Sequence, residues 1–416
     1  MLSQEFNKLI YDYRVVLFLL FCLTIQFLGW RMWLRLVKAR AARVIVHIAF
    51  IVFNLGWFFT VSTLYYGKNL TDFTWVWVGR PSVSWQEIYI FVILPLGLTA
   101  SFGFRFFCWL RKNRSNAFDS SKRDFIRRVG GTAGALTILG SCGYGVVRQS
   151  ISPDVKRHTL DIPGLPPQLD GFVIAHITDL HLGLWASQKE LDKAFRLMAS
   201  ENPDLVVFTG DQVDRSAENA KLYHEPLKHL RMVPEGIWGV LGNHDHYTGA
   251  PYQVARYLTE GGLNILVDRQ VNLPRVPISI IGLDDQGMHS SWLGRGGPSL
   301  SKMKDDPDVL NFELVRGPAP RPGDFTILLN HRPEGFAQAV RHGCRLYLAG
   351  HTHGGQYQFP FNDQINLAAA FYKYSSGLYH EHEAWLNVSP GIAAVGVPFR
   401  MWAWPELSLI RLKRKA

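Results

Sequence analysis

The chain changes rhythm about a third of the way along. In the first 150 residues the apolar positions come in long unbroken runs: Val15–Trp30, Val44–Leu64 and Ile88–Phe104. Each is close to the ~20 residues that a helix needs to cross a hydrocarbon core. A fourth run, Val129–Val147, is richer in glycine and alanine but holds no charge. Aromatic residues gather at the ends of the first three: Trp30 and Trp33, Trp57 and Tyr65, Trp85 and Trp109. Tryptophan and tyrosine favour that depth because their rings are part apolar and part polar. One such run alone reads equally as a buried core helix. Three in succession, each flanked by charge, predict membrane spans. Residues 1–150 are therefore expected to form a bundle of about four transmembrane helices, near 15–30, 44–64, 88–104 and 129–147.

From about Pro153 the runs shorten, and charge, glycine and proline become frequent. Phe172–Ile177, Leu205–Thr209, Ile237–Leu241, Ile278–Leu283, Phe325–Leu329, Arg345–Leu348, Ala384–Val388 and Leu407–Leu412 are short and β-rich. Gln188–Ser200 and Pro251–Gly261 have helical spacing between them. Strands interleaved with helices predict a layered α/β domain over residues 151–416.

Charge alters the picture through its location. The chain has 44 Lys and Arg against 34 Asp and Glu, and residues 1–148 carry 18 of the basic residues against six of the acidic ones. The excess thus belongs to the first third, and the charge balance of the α/β region does not indicate a basic face for tracking a nucleic acid. Arg31–Arg43 carries five basic residues and no acid, and Arg105–Arg128 carries eight against Asp119 and Asp124. Basic loops stay on the cytoplasmic side, so with four spans residues 151–416 lie on the extracytoplasmic face of a plasma (inner) membrane. The stretch Ser121–Arg127, "SKRDFIR", resembles a twin-arginine export leader placed internally, and reads equally as an ordinary basic anchor; both send the domain outward. The four cysteines are scattered and suggest no disulfide framework.

The chemistry sits at the strand ends. Thr178-Asp179-Leu180-His181 follows the first strand, Gly210-Asp211 the second and Gly242-Asn243-His244-Asp245 the third. Asn330-His331-Arg332 follows Phe325–Leu329, and Gly350-His351-Thr352-His353 follows Arg345–Leu348. Singly, Asp211 reads as a helix cap, Asn243 as a turn residue and His331 as a core histidine. Together they end five apolar strands in carboxylate, amide or imidazole, at the edge where α/β sheets bind ligands. Imidazole, carboxylate and amide without thiolate suit Mn²⁺, Fe²⁺ or Zn²⁺. Seven donors are too many for one tetrahedral ion and suit two ions that share a carboxylate.

This motif set resembles that of the calcineurin-like metallophosphoesterases, over residues 170–415, and most closely their bacterial membrane-anchored phosphodiesterase branch. The resemblance implies a four-layer α/β/β/α sandwich with its site between the sheets. It implies one metal on Asp179, His181, His353 and a bridging Asp211, and a second on Asp211, Asn243, His331 and His351. A metal-bridging hydroxide would attack phosphorus. His244 would meet the phosphoryl group and protonate the leaving oxygen, with Asp245 orienting its ring. Arg332 and Arg400, beside motif segments, are candidate phosphate contacts. The long segment Gln286–Asp324, with Arg295 and Arg316, is either a substrate-selecting cover or a surface excursion.

The expected activity is hydrolysis of a phosphodiester by a membrane-anchored enzyme with no nucleic-acid partner. The tether and the aromatic stretch Val395–Pro405 favour a lipid headgroup or a lipid-linked pyrophosphate as substrate. Two alternatives stay open: a phosphomonoesterase, and a non-catalytic metal-binding membrane sensor or scaffold. The apolar runs 15–30, 44–64 and 88–104 hold no Asp, Glu, Lys or Arg, which disfavours a transport path through them.

Overall fold

The computed structural model describes residues 153–415, apart from 184–185, 215, 286–309, 360 and 396–399, and scattered helical positions between Thr24 and Phe59. The chain separates into two compact units, Met1–Tyr144 and Gly145–Ala416. In the first, the Trp30 indole N–H donates to His47 Nδ1 at 3.1 Å and its ring stacks on Phe50. Among the described residues no helix is long and apolar enough to cross a membrane. The expected spans near 88–104 and 129–147 lie outside the described residues, and those near 15–30 and 44–64 are described only in part.

The second unit contains the strands β1 (Asp154–Pro163), β2 (Val173–Ile177), β3 (Leu205–Thr209), β4 (Ile237–Val240), β5 (Asn264–Ile265), β6 (Arg269–Asn272) and β7 (Ile278–Gly282). They are followed by β8 (Phe325–Leu329), β9 (Leu346–Ala349), β10 (Gln358–Phe359), β11 (Asn362–Asn366), β12 (Gly377–Glu381), β13 (Ala384–Val388) and β14 (Glu406–Lys415). The helices are α1 (Gln188–Ser200), α2 (Asn243–Tyr247), α3 (Pro251–Glu260) and α4 (Phe336–Arg341). One six-stranded sheet runs β1-β14-β2-β3-β4-β5 and the other β12-β13-β9-β8-β7-β6, with β10-β11 a separate hairpin.

Alternation along the strands builds the layers. Leu205 and Val207 of β3 meet Ile327 and Leu329 of β8 and Leu346 and Leu348 of β9 in a core between the sheets. Val206 and Phe208 turn the other way, onto Leu191, Ala194, Phe195 and Met198 of α1. That spacing is one stripe of a helix, and Glu190 closes its first turn by accepting the Ser187 backbone N–H at 2.7 Å. On the second sheet Leu328 and Tyr347 face outward onto Phe336 and Ala339 of α4. The order is helix, sheet, sheet, helix, the sandwich expected from the motifs.

Topology brings the chemistry to one end. β2, β3 and β4 are mutually parallel, as are β7, β8, β9 and β13. Every expected ligand follows the carboxyl end of one of these strands.

A polar seam crosses the inter-sheet core. His176 Nε2 lies 2.8 Å from Thr209 Oγ1, and Asn387 Nδ2 donates to His176 Nδ1 at 2.9 Å. Burial pushes the His176 imidazole down to about 3. The unfolded chain, with an ordinary histidine near 6.5, takes up a proton as the pH falls while the folded chain does not. Stability present above pH ~6.5 is therefore lost at about 1.4 kcal/mol per pH unit on the way down to about 3. His176→Gln is expected to reduce the slope of unfolding free energy against pH by about that amount between pH ~6 and ~4; urea unfolding at a series of pH values measures it, and an unchanged slope would contradict it.

Candidate metal centre

Several ligands sit on strained backbone. Asp179, His181, Asp211, His351 and His353 all have left-handed φ angles, between 44° and 70°. Side chains bearing a Cβ disfavour that region, and such residues persist where surrounding contacts fix them, commonly at functional sites. The adjoining glycines make room. A Cβ on Gly350 would lie 2.2 Å from Asp179 Oδ2, and one on Gly210, itself at φ +91°, 2.6 Å from His331 Nδ1.

The seven expected ligands converge into two groups that share Asp211. In the first, Asp179, His181, Asp211 and His353 bring one donor atom each to within 4.8 Å of one another. His353 Nε2 is 3.2 Å from Asp179 Oδ1 and from His181 Nε2, and His181 Nε2 is 3.5 Å from Asp211 Oδ2. In the second, Asp211, His331 and His351 do the same. His331 Nε2 is 3.2 Å from Asp211 Oδ2, 3.1 Å from Asn243 Oδ1 and 3.2 Å from His351 Nδ1.

The outer contacts point the ring nitrogens inward. His181 Nδ1 donates to Asp214 Oδ2 at 3.0 Å, His331 Nδ1 to the Thr209 carbonyl at 2.7 Å and His353 Nδ1 to the Ala393 carbonyl at 3.0 Å. Each contact turns Nε2 toward the cluster, the usual way a protein presents imidazole to a cation. Asp179 Oδ1 is buried without a hydrogen-bond partner. A carboxylate oxygen stranded among imidazole nitrogens is what a donor set built for a divalent ion requires, so these residues fit such ions.

The electrostatics agree. Burial opposes ionisation of Asp211, but His331, His244 and His181 outweigh it and hold the carboxyl well below its usual range. Burial likewise opposes ionisation of Asp179, and His353 and His181 overcome it. In return His331, which burial alone would lower, is lifted by Asp211 to about 9. His351 goes the other way, lowered by burial and by Arg332. Protons on cluster imidazoles are what a cation displaces on entry.

Two expected roles are corrected. Asp245 does not orient His244. It is fully buried and accepts the backbone N–H groups of Gly242, Val213 and Gln212 at 2.9, 3.0 and 3.2 Å, which ties two ligand-bearing loops together. The partner of His244 is Asp214, whose Oδ1 accepts from His244 Nδ1 at 2.5 Å while its other oxygen holds His181. Arg400 does not reach a substrate. It is wholly buried, donating to the carbonyls of Ala403, Pro390 and Ala393, and it packs behind His353 with one guanidinium nitrogen 3.2 Å from Nδ1.

Arg332 does stand at the rim. Asp285 anchors its guanidinium at 2.8 Å, and another of its nitrogens is 2.9 Å from His351 Nε2, which also has the Tyr372 hydroxyl at 3.2 Å. Asp214, Asp285 and Tyr372 were not singled out from the sequence. The first carries a signal there, being a second aspartate three residues after Asp211 in one short loop. Arg316 donates to the Glu313 carbonyl and is not brought to the cluster, and Arg295 lies outside the described residues.

Comparison with known proteins settles the lineage. The family model for calcineurin-like phosphoesterases matches residues 172–355. A metallophosphoesterase of Bacillus subtilis, YkuE, is 30% identical over 307 residues, covering 70% of this chain and 98% of the relative. The chain belongs to the calcineurin-like phosphoesterase family. Its members are phosphoric ester hydrolases that use divalent metals, and the residues of the cluster would hold such ions. The chain is also similar to a Danio rerio protein described as a transmembrane protein with metallophosphoesterase domain, 30% identical over 280 residues, covering 65% of this chain and 60% of that protein. It is 23% identical over 300 residues to the Escherichia coli phosphodiesterase YaeI, covering 70% of this chain and 99% of that one.

Replacing Asp214 with alanine frees both His181 and His244. It is expected to weaken metal affinity by about 10- to 100-fold, the usual cost of losing a ligand's outer partner. Asp245→Ala strands buried N–H donors and is expected to lower unfolding stability by several kcal/mol, at about 1–3 each. Calorimetric titration with Mn²⁺ and thermal unfolding on both variants separate the two effects; equal loss of metal affinity in both would contradict these assignments.

Proposed function

We propose that this protein is a membrane-anchored phosphodiesterase that hydrolyses its substrate at two divalent ions. The observation that carries the reading is the pair of donor groups joined at Asp211, with His244 beside them. Asp179, His181, His353 and Asp211 would hold one ion, and Asp211, Asn243, His331 and His351 the other. Two such ions, Mn²⁺, Fe²⁺ or Zn²⁺, acidify water and offset charge on phosphoryl oxygens.

The chain's own groups do the rest. Hydrolysis joins a water oxygen to phosphorus and releases the ester oxygen with a proton. The His244 side chain is one-fifth exposed, and Asp214 holds its Nδ1, so Nε2 is the atom left to hand over that proton. Arg332, fixed by Asp285, offers the guanidinium nearest the cluster for a phosphate oxygen. The name phosphodiesterase carried by the Escherichia coli relative supports a diester, and the Danio rerio relative's description supports a membrane anchor. The anchor is the bundle of about four spans in residues 1–150, with residues 151–416 on the extracytoplasmic side. The tether favours a lipid headgroup or lipid-linked pyrophosphate as substrate.

The test uses full-length protein stripped by chelator and then supplied with Mn²⁺, Fe²⁺ or Zn²⁺ singly. Hydrolysis of a chromogenic phosphodiester is expected to return and to exceed that of the matching monoester. His244→Ala is expected to lose about 10²- to 10⁴-fold in kcat while still binding two ions. Two bound ions with no turnover on either ester would leave a binding protein, and a monoester preference would replace the diester reading.

Alkaline phosphatase fused after residue 150 is expected to be active in intact cells, which places that point outside. Activity only from a cytoplasmic reporter would reverse the orientation.

A further inference from the structure

The site end of the domain carries an apolar surface that hydrolysis does not use. Among the described residues of 153–415, eleven large apolar side chains are exposed, and six of them fall in two neighbouring stretches: Phe359, Phe361, Ile365, Leu367, Phe371 and Trp402. Phe361 is 88% exposed and Phe371 69%. Side chains of that size left in water together are uncommon and mark a surface that meets a partner or a membrane. The stretches are physically joined: Tyr357 bridges Met401, and the Gln358 N–H donates to the Met401 carbonyl at 2.9 Å.

The topology fixes where this patch lies. β9 ends at Ala349 beside the cluster, and β12 starts opposite the end of β13, Gly377 pairing with Val388. The described residues from Gly350 to Ser376, including the β10–β11 hairpin, are therefore an excursion on the site end of the second sheet. The described residues between β13 and β14, Ser389–Val395 and Arg400–Pro405, belong to another. Phe371 is followed by Tyr372, whose hydroxyl is 3.2 Å from His351 Nε2, so the patch borders the cluster itself.

The chain also enters the domain here. β14 runs antiparallel to β2 and β1 runs parallel to β14, which puts Asp154 beside Glu406 at the site end. The Asp154 N–H donates to the Pro405 carbonyl at 2.8 Å, and Lys156 pairs with Asp363 of the hairpin. Asp363 is the one charged residue between Gly354 and Tyr372, so the excursion presents almost no charge of its own. Six residues separate the apolar run Val129–Val147 from Asp154, a reach of at most about 25 Å.

We infer that the excursion formed by the β10–β11 hairpin, Leu367, Phe371 and Trp402 docks into a lipid bilayer, seating the metal cluster at the membrane surface. The inference rests on the membrane-anchored reading. A short tether brings this end of the domain to the bilayer, and the side chains that it brings are aromatic and aliphatic, as shallow interfacial insertion requires. The site then opens where a lipid headgroup lies and its acyl chains stay in the membrane.

The test uses full-length protein reconstituted in vesicles of phosphatidylethanolamine and phosphatidylglycerol. An NBD label is placed at Phe361→Cys or, as control, at Met232→Cys, with Cys22, Cys108 and Cys142 replaced. Met232 is 90% exposed and precedes β4, at the end of the first sheet remote from the cluster. Blue-shifted, brightened emission at 361 and water-like emission at 232 are expected. Water-like emission at both positions in protein that co-floats with the vesicles would overturn docking and leave the anchor standing. Protein that fails to co-float would remove the anchor and the docking with it. A blue shift at 361 that persists without lipid and grows with protein concentration would assign the patch to a second copy of the chain instead.

The paired activity readout is the double variant Phe359→Ser, Phe361→Ser. It is expected to lose about ten-fold or more on a vesicle-embedded phosphodiester. Its rate on a water-soluble chromogenic diester is expected to be unchanged. Equal rates of variant and parent on the vesicle substrate would overturn the proposal. Absence of activity on both substrates in the parent would count against the phosphodiesterase reading, and the label would still decide docking.

Discussion

Asp211 is the constraint from which the site is organised. Its carboxylate is buried at the point where the two donor groups meet, and burying a charge is tolerable only where opposite charge or hydrogen bonds replace water. It obtains both. His331 and His181 stand 3.2 and 3.5 Å from one oxygen, and the His244 backbone N–H donates to the other at 2.8 Å. Those partners arrive from the loops after β2, β4 and β8, in two different sheets. Keeping one carboxylate ionised in the interior thus sets the registration of the sheets at their common end.

The loops answer that demand at a cost to their own backbone. Five of the candidate ligands adopt left-handed φ angles, and the glycines at 210 and 350 allow the loops to approach within distances no Cβ would permit. Asp245 then fastens the loop after β3 to the loop after β4 by accepting backbone N–H groups from both. A strained, charge-rich end rests on a core of alternating Leu, Ile and Val between the sheets, crossed by a polar seam of His176, Thr209, Asn387, Ser408 and Glu406. That seam reaches the site as well, since the Thr209 carbonyl orients His331.

What was legible in the sequence was whatever local pattern decides. The eight strands read from apolar runs all exist, and the seven expected ligands stand where those runs stop. β1 was missed because "DVKRHTLDIP" shows charge at the edge of a sheet and becomes a strand only through its ten-residue parallel pairing with β14. The β10–β11 hairpin was missed because β10, at two residues, is too short to show a period. Asp245 and Arg400 were misassigned for one reason: adjacency in sequence to His244 and to a motif segment says nothing about burial. Asp214, further along the chain from His244 than Asp245 is, lies nearer to its ring because the loop after β3 folds back on the loop after β4.

The strand order β1-β14-β2 also has a temporal meaning. The last strand lies between the first two, so the first sheet has a gap in it until residues 406–415 have left the ribosome. Before then β1 has no neighbour, and Leu160 and Ile162, which end up buried against Ile410 and Leu412, stay in water. Contacts that span some 250 residues form slowly and leave apolar surface open meanwhile. Completion of the first sheet therefore waits for β14, whereas every strand of the second sheet ends by Val388 and can pair without it. Until β14 inserts, the facing edges of β1 and β2 are both left open to any factor that binds unpaired strands during synthesis.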